Sequence, residues 1–380
     1  MIAKSITQAV ILAGGEGTRL RPLTHRIPKP LVPVLNRPFL EYTLAHLRRH
    51  GVTEVVLALH HLADKIRAHF GDGAGFGVRI AYSREPMPLG TAGAVKHAQG
   101  LLGERFFVFN GDVYMDLDLA AMAAAHGRSG ALASIALTTV EDPSRYGVVE
   151  TTRTGSVRRF LEKPTPGMTK SRTINAGCYI LEREALDSVP PGQPSMFERD
   201  LFPSLLAQGL PIHGYRAQGY WVDMGTPQGY LELHHTLLRT RVPDPPPPGA
   251  HQGSGIWLGQ GSRIHPTARL QGPLVIGANC TIGPGVLLKG PAVLGDGCTV
   301  GEGAIIRGSV IWDHVEIGVG ADLRRCLVGG HSAIGAGISL PAGRVLAGNR
   351  VIAPSWARRR AARLAPAGAV HQGAGKQGSS

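Results

Sequence analysis

The carboxyl-terminal part of this chain repeats an aliphatic side chain at every sixth position. Leu, Ile or Val stands at residues 258, 264, 270, 276, 282, 288, 294, 300 and 306. The repeat slips by one residue twice and resumes through Ile317, Leu323, Val328, Ile334, Leu340 and Leu346. This period is typical of a parallel β-helix, in which each short strand points one aliphatic side chain inward.

A second repeat of eighteen residues lies on top of the first. The tripeptides QGP, KGP and RGS begin at residues 271, 289 and 307, so three hexads form one coil. By resemblance to other hexapeptide-repeat proteins, the coil should be left-handed. Cys280 and Cys298 are one coil apart and should stack as small interior side chains. The four cysteines have no CxxC spacing, so neither a zinc site nor a disulfide framework is indicated.

A run of four prolines divides the chain. The segment RTRVPDPPPPGAHQGSG, at 239–255, favours stiff, extended backbone. The sequence therefore predicts four regions: a catalytic domain over 1–240, a linker over 241–252, a β-helix domain over 253–348 and a tail over 349–380. The tail is basic and rich in small residues, which is typical of disordered chain.

Strand-like and helix-like stretches alternate before the prolines. Apolar runs predict strands at 8–13, 53–59, 77–83 and 105–112, and amphipathic stretches predict helices at 38–51, 62–70 and 90–102. Continuous apolar strands that alternate with helices favour a parallel sheet covered on both faces. We therefore expect an α/β, Rossmann-like domain with a mostly parallel sheet, followed by the β-helix.

The charge of the chain suggests anionic partners. The formal net charge is +13, and the first fifty residues carry eight Lys or Arg against two acids. No aromatic residues are interleaved with the basic ones, so a specific nucleic-acid platform is not expected, and small phosphorylated ligands fit the pattern. No apolar stretch reaches about 18 residues and no signal-peptide core is visible, so we expect a cytoplasmic protein without a membrane span.

The stretch AVILAGGEGTRLRPLTHRIPKPL, at 9–31, joins the first strand to a loop rich in glycine and cations. Glycines 14, 15 and 17 let backbone N–H groups approach an anion closely, and Arg19 and Lys29 add full charges. The loop lacks the third glycine of a dinucleotide fingerprint and the GK[ST] of a phosphate loop. It predicts a site for an oligophosphate beyond the carboxyl end of the strand.

Other polar residues stand where strands should end, and each has a plain structural interpretation too. Asp112 in FNGD follows the fourth strand, although Asn-Gly also favours a hairpin turn. The pair Glu162–Lys163 in FLEKP could be an exposed ion pair. Asn175 is a polar residue at the start of the strand TINAGCYIL, and Asp223 in GYWVDMGTP could simply cap a helix.

Together these motifs resemble one family. LAGGEGTRLRPLT…PKPLVPV, PLGTAGA, FNGDV, YGVV, FLEKP, INAGCYIL and GYWVDMGTP are similar to the ordered motifs of sugar-1-phosphate nucleotidyltransferases over residues 8–240. The likeness is closest to mannose-1-phosphate guanylyltransferases. A β-helix is a common appendage in that family.

The resemblance implies an in-line attack by a sugar-1-phosphate oxygen on the α-phosphorus of a nucleoside triphosphate. Arg19, Lys29 and Asp112 would be catalytic, and Asp112 and Asp223 would share a Mg²⁺. The implied sugar-phosphate site comprises Gly147, Glu162, Lys163 and Asn175. The implied nucleotide site comprises Leu12, Ala13, Gly14, Gly15, Gly17, Thr18, Glu85, Gly90, Thr91 and Ala92.

The base and the sugar are left open by the sequence. A carboxylate at Glu85 would suit the N1–H and N2–H donors of guanine, although Glu85 could also be an exposed loop acid. The alternatives are a UTP- or dTTP-dependent enzyme for glucose 1-phosphate, a non-catalytic homologue, and a bifunctional enzyme that uses a β-helix histidine (His265, His314 or His331) for acyl transfer. The flat faces and open ends of the β-helix predict a homo-oligomer.

Overall fold

The structure, a computed structural model, describes residues 6–165, 167–240 and 243–353. Most of the predicted basic tail, including ARRRAAR at 357–363, lies outside the described residues, as do residues 241 and 242 of the predicted linker. Within the described ranges, no helix is long and apolar enough to cross a membrane.

The part of the chain before the prolines alternates strands and helices. Its strands are Gln8–Leu12 (β1), Pro33–Val34 (β2), Arg37–Pro38 (β3), Glu54–Leu59 (β4), Arg79–Arg84 (β5), Arg105–Asn110 (β6), Val113–Met115 (β7), Ala133–Thr139 (β8), Gly147–Thr151 (β9), Val157–Glu162 (β10), Thr173–Glu182 (β11), Ile212–Arg216 (β12) and Trp221–Asp223 (β13). Its α-helices are Phe39–Arg49 (α1), Ala63–Phe70 (α2), Gly90–His97 (α3), Leu119–Ser129 (α4), Phe202–Ala207 (α5) and Pro227–Thr240 (α6).

One nine-stranded sheet forms the centre of this part. Strands β5, β4, β1 and β6 lie side by side and are parallel, as their continuous apolar sequences predict. Beyond β6, strand β11 runs antiparallel and pairs with β8 and β9, and β9 and β10 form an antiparallel pair. Strand β12 pairs with β8 in parallel, so this half of the sheet is mixed. The short connection between β9 and β10 has no crossover helix, which accounts for their antiparallel pairing.

Helices cover both faces of the sheet. Apolar side chains of α1, α2 and α4 pack on one face, and those of α3 and α5 pack on the other. Neighbouring residues of β1 alternate between the two layers, since Val10 belongs to one cluster and Ile11 to the other. Both residues are fully buried. The sequence prediction of a sheet covered on both faces is confirmed.

The part after the prolines is a parallel β-helix, which confirms the predicted fold class. Its strands are Ala250–His251 (β14), Ile256–Leu258 (β15), Arg263–Ile264 (β16), Arg269–Gln271 (β17), Leu274–Ile276 (β18), Thr281–Ile282 (β19), Leu287–Lys289 (β20), Ala292–Leu294 (β21), Thr299–Val300 (β22), Ile305–Arg307 (β23), Val310–Ile311 (β24), Glu316–Ile317 (β25), Asp322–Arg324 (β26), Leu327–Val328 (β27), Ala333–Ile334 (β28), Ser339–Leu340 (β29), Val345–Leu346 (β30) and Val351–Ile352 (β31). Except for the antiparallel pair β14–β15, these strands stack as three parallel sheets.

The aliphatic repeat fills the interior of the coils. Each buried Leu or Ile there contributes about 1.5–3 kcal/mol relative to exposure. Ile276 stacks on Leu294 across eighteen residues, whereas Leu294 stacks on Ile311 across seventeen. The corner after β23 reads RGS where the previous coil reads KGPA, and this one-residue deletion explains the first slip in the repeat. Cys280 and Cys298 are both buried, and both are free thiols.

One face of the β-helix packs against the first domain. Val275, Val293, Val310 and Leu327 point outward from their coils and join a single apolar cluster with side chains of α6 and of the loop after β1. The indole Nε1 of Trp312 donates to the hydroxyl oxygen of Tyr230 at 3.0 Å. These contacts place the β-helix directly behind the glycine-rich loop.

Candidate active site

The loop after β1 has an apolar side and a charged side. Leu20 and Leu23 are buried in the cluster shared with the β-helix. Arg19 and Lys29, from the same loop, line the opposite side, which faces a cavity. Gly17 has a φ of 64°, and its carbonyl accepts a hydrogen bond from the Thr24 hydroxyl at 2.8 Å. The packing of the apolar side therefore fixes where the two cations stand.

Two cations and two carboxylates form one cluster. Lys29 Nζ donates to Asp112 Oδ2 at 2.6 Å, and Arg19 Nη2 donates to the same oxygen at 3.3 Å. The other end of the guanidinium, Nη1, donates to Asp223 Oδ2 at 2.8 Å. The structure thus brings Asp112 and Asp223, which are far apart in sequence, to a single guanidinium.

The contacts within the cluster favour the charged forms of Asp112 and Arg19. Burial alone would raise the pKa of Asp112, but the neighbouring Lys29 and then Arg19 hold that pKa below its ordinary value. Burial opposes the charge of Arg19, and Asp223 and Asp112 nevertheless raise its pKa. Lys29 is 8% exposed, so its ammonium group depends on Asp112 for a partner.

A close approach between two strands places Asp112. Gly111 N donates to the carbonyl oxygen of Leu12 at 3.0 Å, and a Cβ on Gly111 would lie 2.4 Å from that oxygen. Only glycine fits there. Because Gly111 has no side chain, the chain can pass close to the end of β1, and Asp112 then lies beside the glycine loop. The hairpin interpretation of FNGD is wrong, because β7 pairs with β13 and not with β6.

Asp223 ends strand β13 and does not cap the helix that follows. Its Oδ1 accepts from Gly225 N at 2.7 Å. The cap of α6 is Thr226, whose Oγ1 accepts from Gly229 N at 3.1 Å and whose carbonyl accepts from Tyr230 N. Asp223 Oδ2 therefore remains available to the cluster.

Two cavities meet at this cluster. They measure about 580 and 570 Å³. They share a wall formed by Arg19, Asn110, Asp112, Glu162 and Glu198. The first cavity lies over the glycine loop and the start of α3, and we call it the nucleotide cavity after the ligand that the resemblance implies. The second lies over the site-side ends of β9, β10 and β11, and we call it the sugar cavity for the same reason. Each volume is in the usual range for a small-molecule site.

The nucleotide cavity contains most of the residues that the resemblance assigned to nucleotide binding: Leu12, Ala13, Gly14, Gly15, Gly17, Thr18, Glu85, Gly90 and Thr91. Ala92 is different. It is fully buried in the core beneath α3, and Ala94 lines the cavity in its place. The helical period explains the difference, because α3 presents only one side to the cavity.

Glu85 is a buried residue of the nucleotide cavity, so its interpretation as an exposed loop acid is wrong. It is 7% exposed, and its Oε2 accepts from Leu89 N at 2.9 Å. Its other oxygen, Oε1, faces Gly14, where an added Cβ would lie 3.0 Å away. Burial raises the pKa of Glu85 above its ordinary value.

The sugar cavity contains the residues assigned to the sugar phosphate: Gly147, Glu162, Lys163 and Asn175. Lys163 Nζ lies 3.5 Å from Glu162 Oε1, so the exposed ion pair exists as well. Lys163 has a φ of 46°, a conformation that is strained for a lysine and is common at binding sites. A Cβ on Gly147 would lie 2.6 Å from the ring of Phe160 and 3.1 Å from Glu162 Oε2, so a larger residue would clash first with that ring.

Glu198 belongs to both cavities and was not singled out by the sequence. Its Oε1 lies within hydrogen-bond distance of two donors, the Tyr179 hydroxyl at 3.3 Å and Asn175 Nδ2 at 3.4 Å. Its Oε2 is buried and has no hydrogen-bond partner among the described residues. Burial, together with the charge of Glu162, raises the pKa of Glu198. In the sequence it is one acid in the run FERD, and only the irregular helical turn at Phe197–Leu201 carries it inward.

The donor set of the cluster suits Mg²⁺ only if a substrate completes it. Among the described residues, no group of three or more His, Cys, Asp or Glu side chains could hold a metal ion. Asp112 and Asp223 offer two hard carboxylates close together, and Mg²⁺ is usually held by one or two carboxylates plus phosphate oxygens and water. The residues present fit that arrangement.

The β-helix histidines lie outside both cavities. The rings of His314 and His331 stack at 5.0 Å between centroids, and His265 Nδ1 is 2.9 Å from Thr267 Oγ1. The acyl-transfer alternative therefore gains no support from the two cavities.

Both parts of the chain match known protein families. The nucleotidyl transferase family matches residues 8–240, and the GMPPB C-terminal domain matches residues 270–356. A mannose-1-phosphate guanylyltransferase of Mycobacterium tuberculosis is 40% identical over 271 residues, which are 71% of this chain and 74% of that protein. A UTP–glucose-1-phosphate uridylyltransferase of Synechocystis is 38% identical over 285 residues, with the same two coverages.

A solved structure of HddC from Yersinia pseudotuberculosis in complex with GMP-PN is also similar. It has 30% sequence identity and a TM-score of 0.53, and the match covers 60% of this chain and 98% of that one.

The buried carboxylate of Glu198 gives a prediction about stability. Because the pKa of Glu198 is raised in the folded protein, the wild type loses stability as the pH rises through the ordinary glutamate range, and Glu198→Gln should not. We expect a higher Tm for Glu198→Gln at pH 7, with the difference closing as the pH falls toward that range. Thermal unfolding against pH measures this. Glu184→Gln, at an exposed glutamate, is the matched control and should match the wild type. An unchanged or lower Tm for Glu198→Gln at pH 7 contradicts the prediction.

Proposed function

The chain belongs to the nucleotidyl transferase family, and on that basis we propose that it transfers a guanylyl group from GTP to mannose 1-phosphate with Mg²⁺. The products are GDP-mannose and pyrophosphate. The broader activity, nucleotidyl transfer to a sugar 1-phosphate, is that of the family.

The observation that carries the proposal is the charge cluster at the junction of the two cavities. A nucleotidyl transfer needs two anionic substrates side by side, with the reacting phosphorus between them. The wall that the two cavities share, at Arg19 and Asp112, would be that meeting point. Holding the reactants in line supplies much of the rate acceleration without covalent catalysis.

The chemistry needs no general base. A phosphate oxygen of the sugar 1-phosphate, already anionic near neutral pH, forms a bond to the α-phosphorus. The bond between the α-phosphorus and the bridging oxygen breaks, and pyrophosphate leaves with that electron pair. Lys29 and Arg19 would neutralise the charge that grows on the leaving group.

Asp112 and Asp223 would hold the Mg²⁺. When bound, Mg²⁺ supplies further charge neutralisation on the triphosphate. Arg19 and Lys29 now donate to these two carboxylates. With both substrates present, the same donors would turn to phosphate oxygens, because the carboxylates then have another partner.

The sugar cavity offers carboxylate acceptors for sugar hydroxyls. Glu162 and Glu198 both line it, and the buried Oε2 of Glu198 accepts from no donor in the part of the chain that the structure describes. A hydroxyl group would satisfy that oxygen, whereas an apolar group would leave it unpaired at a cost of about 1–3 kcal/mol. Lys163 would meet the phosphate.

Glu85 supports the choice of guanine. Glu85 lines the nucleotide cavity, where its Oε1 lies beside Gly14, while Leu89 N already donates to its Oε2. A carboxylate accepts from the adjacent N1–H and N2–H of guanine, but it would oppose the carbonyl oxygens of uracil. The uridylyltransferase of Synechocystis nevertheless keeps UTP with glucose 1-phosphate as the second candidate.

The test of the proposal is a substrate screen. GTP, UTP, dTTP, ATP and CTP are each mixed with Mg²⁺ and either mannose 1-phosphate or glucose 1-phosphate, and pyrophosphate release is measured. We expect the highest kcat/KM for GTP with mannose 1-phosphate. A higher value for UTP with glucose 1-phosphate would favour the second candidate, and no release with any pair would contradict the enzymatic proposal. The predicted homo-oligomer and cytoplasmic location stay predictions.

Removing one cation or one carboxylate of the cluster should abolish most turnover. We expect Lys29→Ala and Asp112→Asn each to lower kcat by about 10²–10³, because each removes charge stabilisation from the transition state. Steady-state pyrophosphate release measures the loss, and circular dichroism checks that both variants fold. Arg158→Ala, at an exposed arginine on β10, is the control and should keep wild-type turnover. Near-normal kcat in either cluster variant would contradict these roles.

Changing the buried carboxylate of the nucleotide cavity should change the base preference. In Glu85→Gln an amide can donate to a uracil carbonyl, so the ratio of kcat/KM for GTP over UTP should fall by about tenfold. Glu16→Gln provides the control, since Glu16 lines the same cavity but is exposed and pairs with Arg21. An unchanged ratio in Glu85→Gln rules out Glu85 as the reader of the base.

A further inference from the structure

The segment that leads into the irregular turn Phe197–Leu201 is bonded to the start of α3. Ser195 N donates to the carbonyl oxygen of Leu89 at 2.9 Å, and Gly93 N donates to the carbonyl oxygen of Ser195 at 3.0 Å. Gly90 packs so closely on this segment that an added Cβ would lie 2.6 Å from the carbonyl oxygen of Ser195. Each of the two segments therefore limits the movement of the other.

A third hydrogen bond between these segments comes from a side chain. Thr91 Oγ1 accepts from Phe197 N at 2.8 Å. Thr91 lines the nucleotide cavity, whereas Phe197 is fully buried and precedes Glu198 in the chain. Because the other two bonds use backbone atoms alone, the bond of Thr91 is the one among these three that a substitution can remove.

The turn that begins at Phe197 places Glu198 in the wall between the two cavities. Glu198 Oε1 lies 3.3 Å from the Tyr179 hydroxyl and 3.4 Å from Asn175 Nδ2, and both distances are long for hydrogen bonds. Burial raises the pKa of Glu198, and the hydroxyl groups of Tyr179 and Thr91 counter that rise. With such long contacts at its carboxylate, the orientation of Glu198 depends strongly on the turn that carries it.

The affinity for a sugar should be sensitive to that orientation. Glu198 Oε2 is buried and accepts from no donor within the described ranges, so a sugar hydroxyl that reaches it satisfies an otherwise unpaired atom. Hydrogen bonds weaken steeply when the donor and the acceptor are misaligned. A turn that holds Glu198 in one orientation therefore strengthens sugar binding, and a loose turn weakens it.

We propose that Thr91 is a positioning residue that couples the binding of the two substrates. A nucleoside triphosphate that packs on Gly90 and Thr91 holds the start of α3 in one position. The hydrogen bond from Phe197 N to Thr91 then fixes the turn, and Glu198 is oriented toward the hydroxyl groups of the sugar. By linkage, each substrate strengthens binding of the other by the same factor. The inference rests on the proposed function, because it takes the two cavities as the sites of the two substrates.

Isothermal titration with substrates that cannot react tests the coupling. Mannose 1-phosphate is titrated into the full chain with Mg²⁺, first without nucleotide and then with saturating α,β-methylene GTP, in which carbon replaces the bridging oxygen that leaves in the reaction. Glucose 1-phosphate with α,β-methylene UTP forms a second pair. We expect the analogue to lower Kd for the sugar phosphate by about fivefold or more in at least one pair. Because the analogue is saturating, a variant that only binds nucleotide more weakly still shows the coupling.

Variants of Thr91 separate positioning from a general effect on the fold. Thr91→Val should lose the coupling, since valine has the shape of threonine but offers no acceptor to Phe197 N. Thr91→Ser keeps the hydroxyl and should retain the coupling. Thr53→Val, at an exposed threonine outside both cavities, is the matched control and should behave as the wild type does. Circular dichroism checks that each variant folds.

A double-mutant cycle tests whether Thr91 acts through Glu198. Glu198→Ala alone should bind the sugar phosphate more weakly and lose the coupling, and adding Thr91→Val should cause no further loss. The proposal is overturned by a wild type without coupling in either pair, by coupling that survives in Thr91→Val or in Glu198→Ala, or by losses that add in the double variant. A chain that shows the coupling but releases no pyrophosphate with any substrate pair contradicts the proposed function alone.

Discussion

The position of one loop decides most of what this chain can do. On one side, apolar residues of the segment from Gly17 to Val34 pack in a cluster that includes the outward face of the β-helix. On the other side, its two cations pair with Asp112 and Asp223. Neither set of contacts would position the loop alone. A cationic loop without the apolar anchor would repel itself and stay mobile, and an anchored loop without the carboxylates would bury Lys29 unpaired. The β-helix is therefore part of the support of the site as well as an appendage.

The fold was largely predictable because its signals are periodic. The hexad pattern fixes which residues point inward in every coil, and the strand–helix alternation fixes the parallel half of the sheet. The antiparallel half was not predictable. The apolar sequence of β11 is compatible with either strand direction, and its direction beside β6 depends on how the intervening chain connects the two strands. The two slips in the repeat became interpretable only when the seventeen-residue coils were visible.

The site was predictable where glycine or charge stands out locally. The glycines, Arg19, Lys29, Asp112 and Asp223 come together as the family resemblance implied, and their roles stay predictions. Glu198 could not be identified from the sequence. Its unusual feature is a buried carboxylate, which results from tertiary packing and leaves no signal in the neighbouring residues. Ala92 was predicted to line the nucleotide site but lies in the core. The motif gave consecutive residues, whereas a helix presents only one of its sides to a cavity.

The four charges of the cluster sum to zero and form three ion pairs. Under the proposed function, a bare polyphosphate would have to break these pairs and leave two carboxylates without partners, so it would gain little from entering. A polyphosphate that arrives with a divalent counter-ion would give the carboxylates a new partner as the two cations turn to phosphate oxygens. The neutrality of the cluster would therefore disfavour lone anions and favour the ion-paired form.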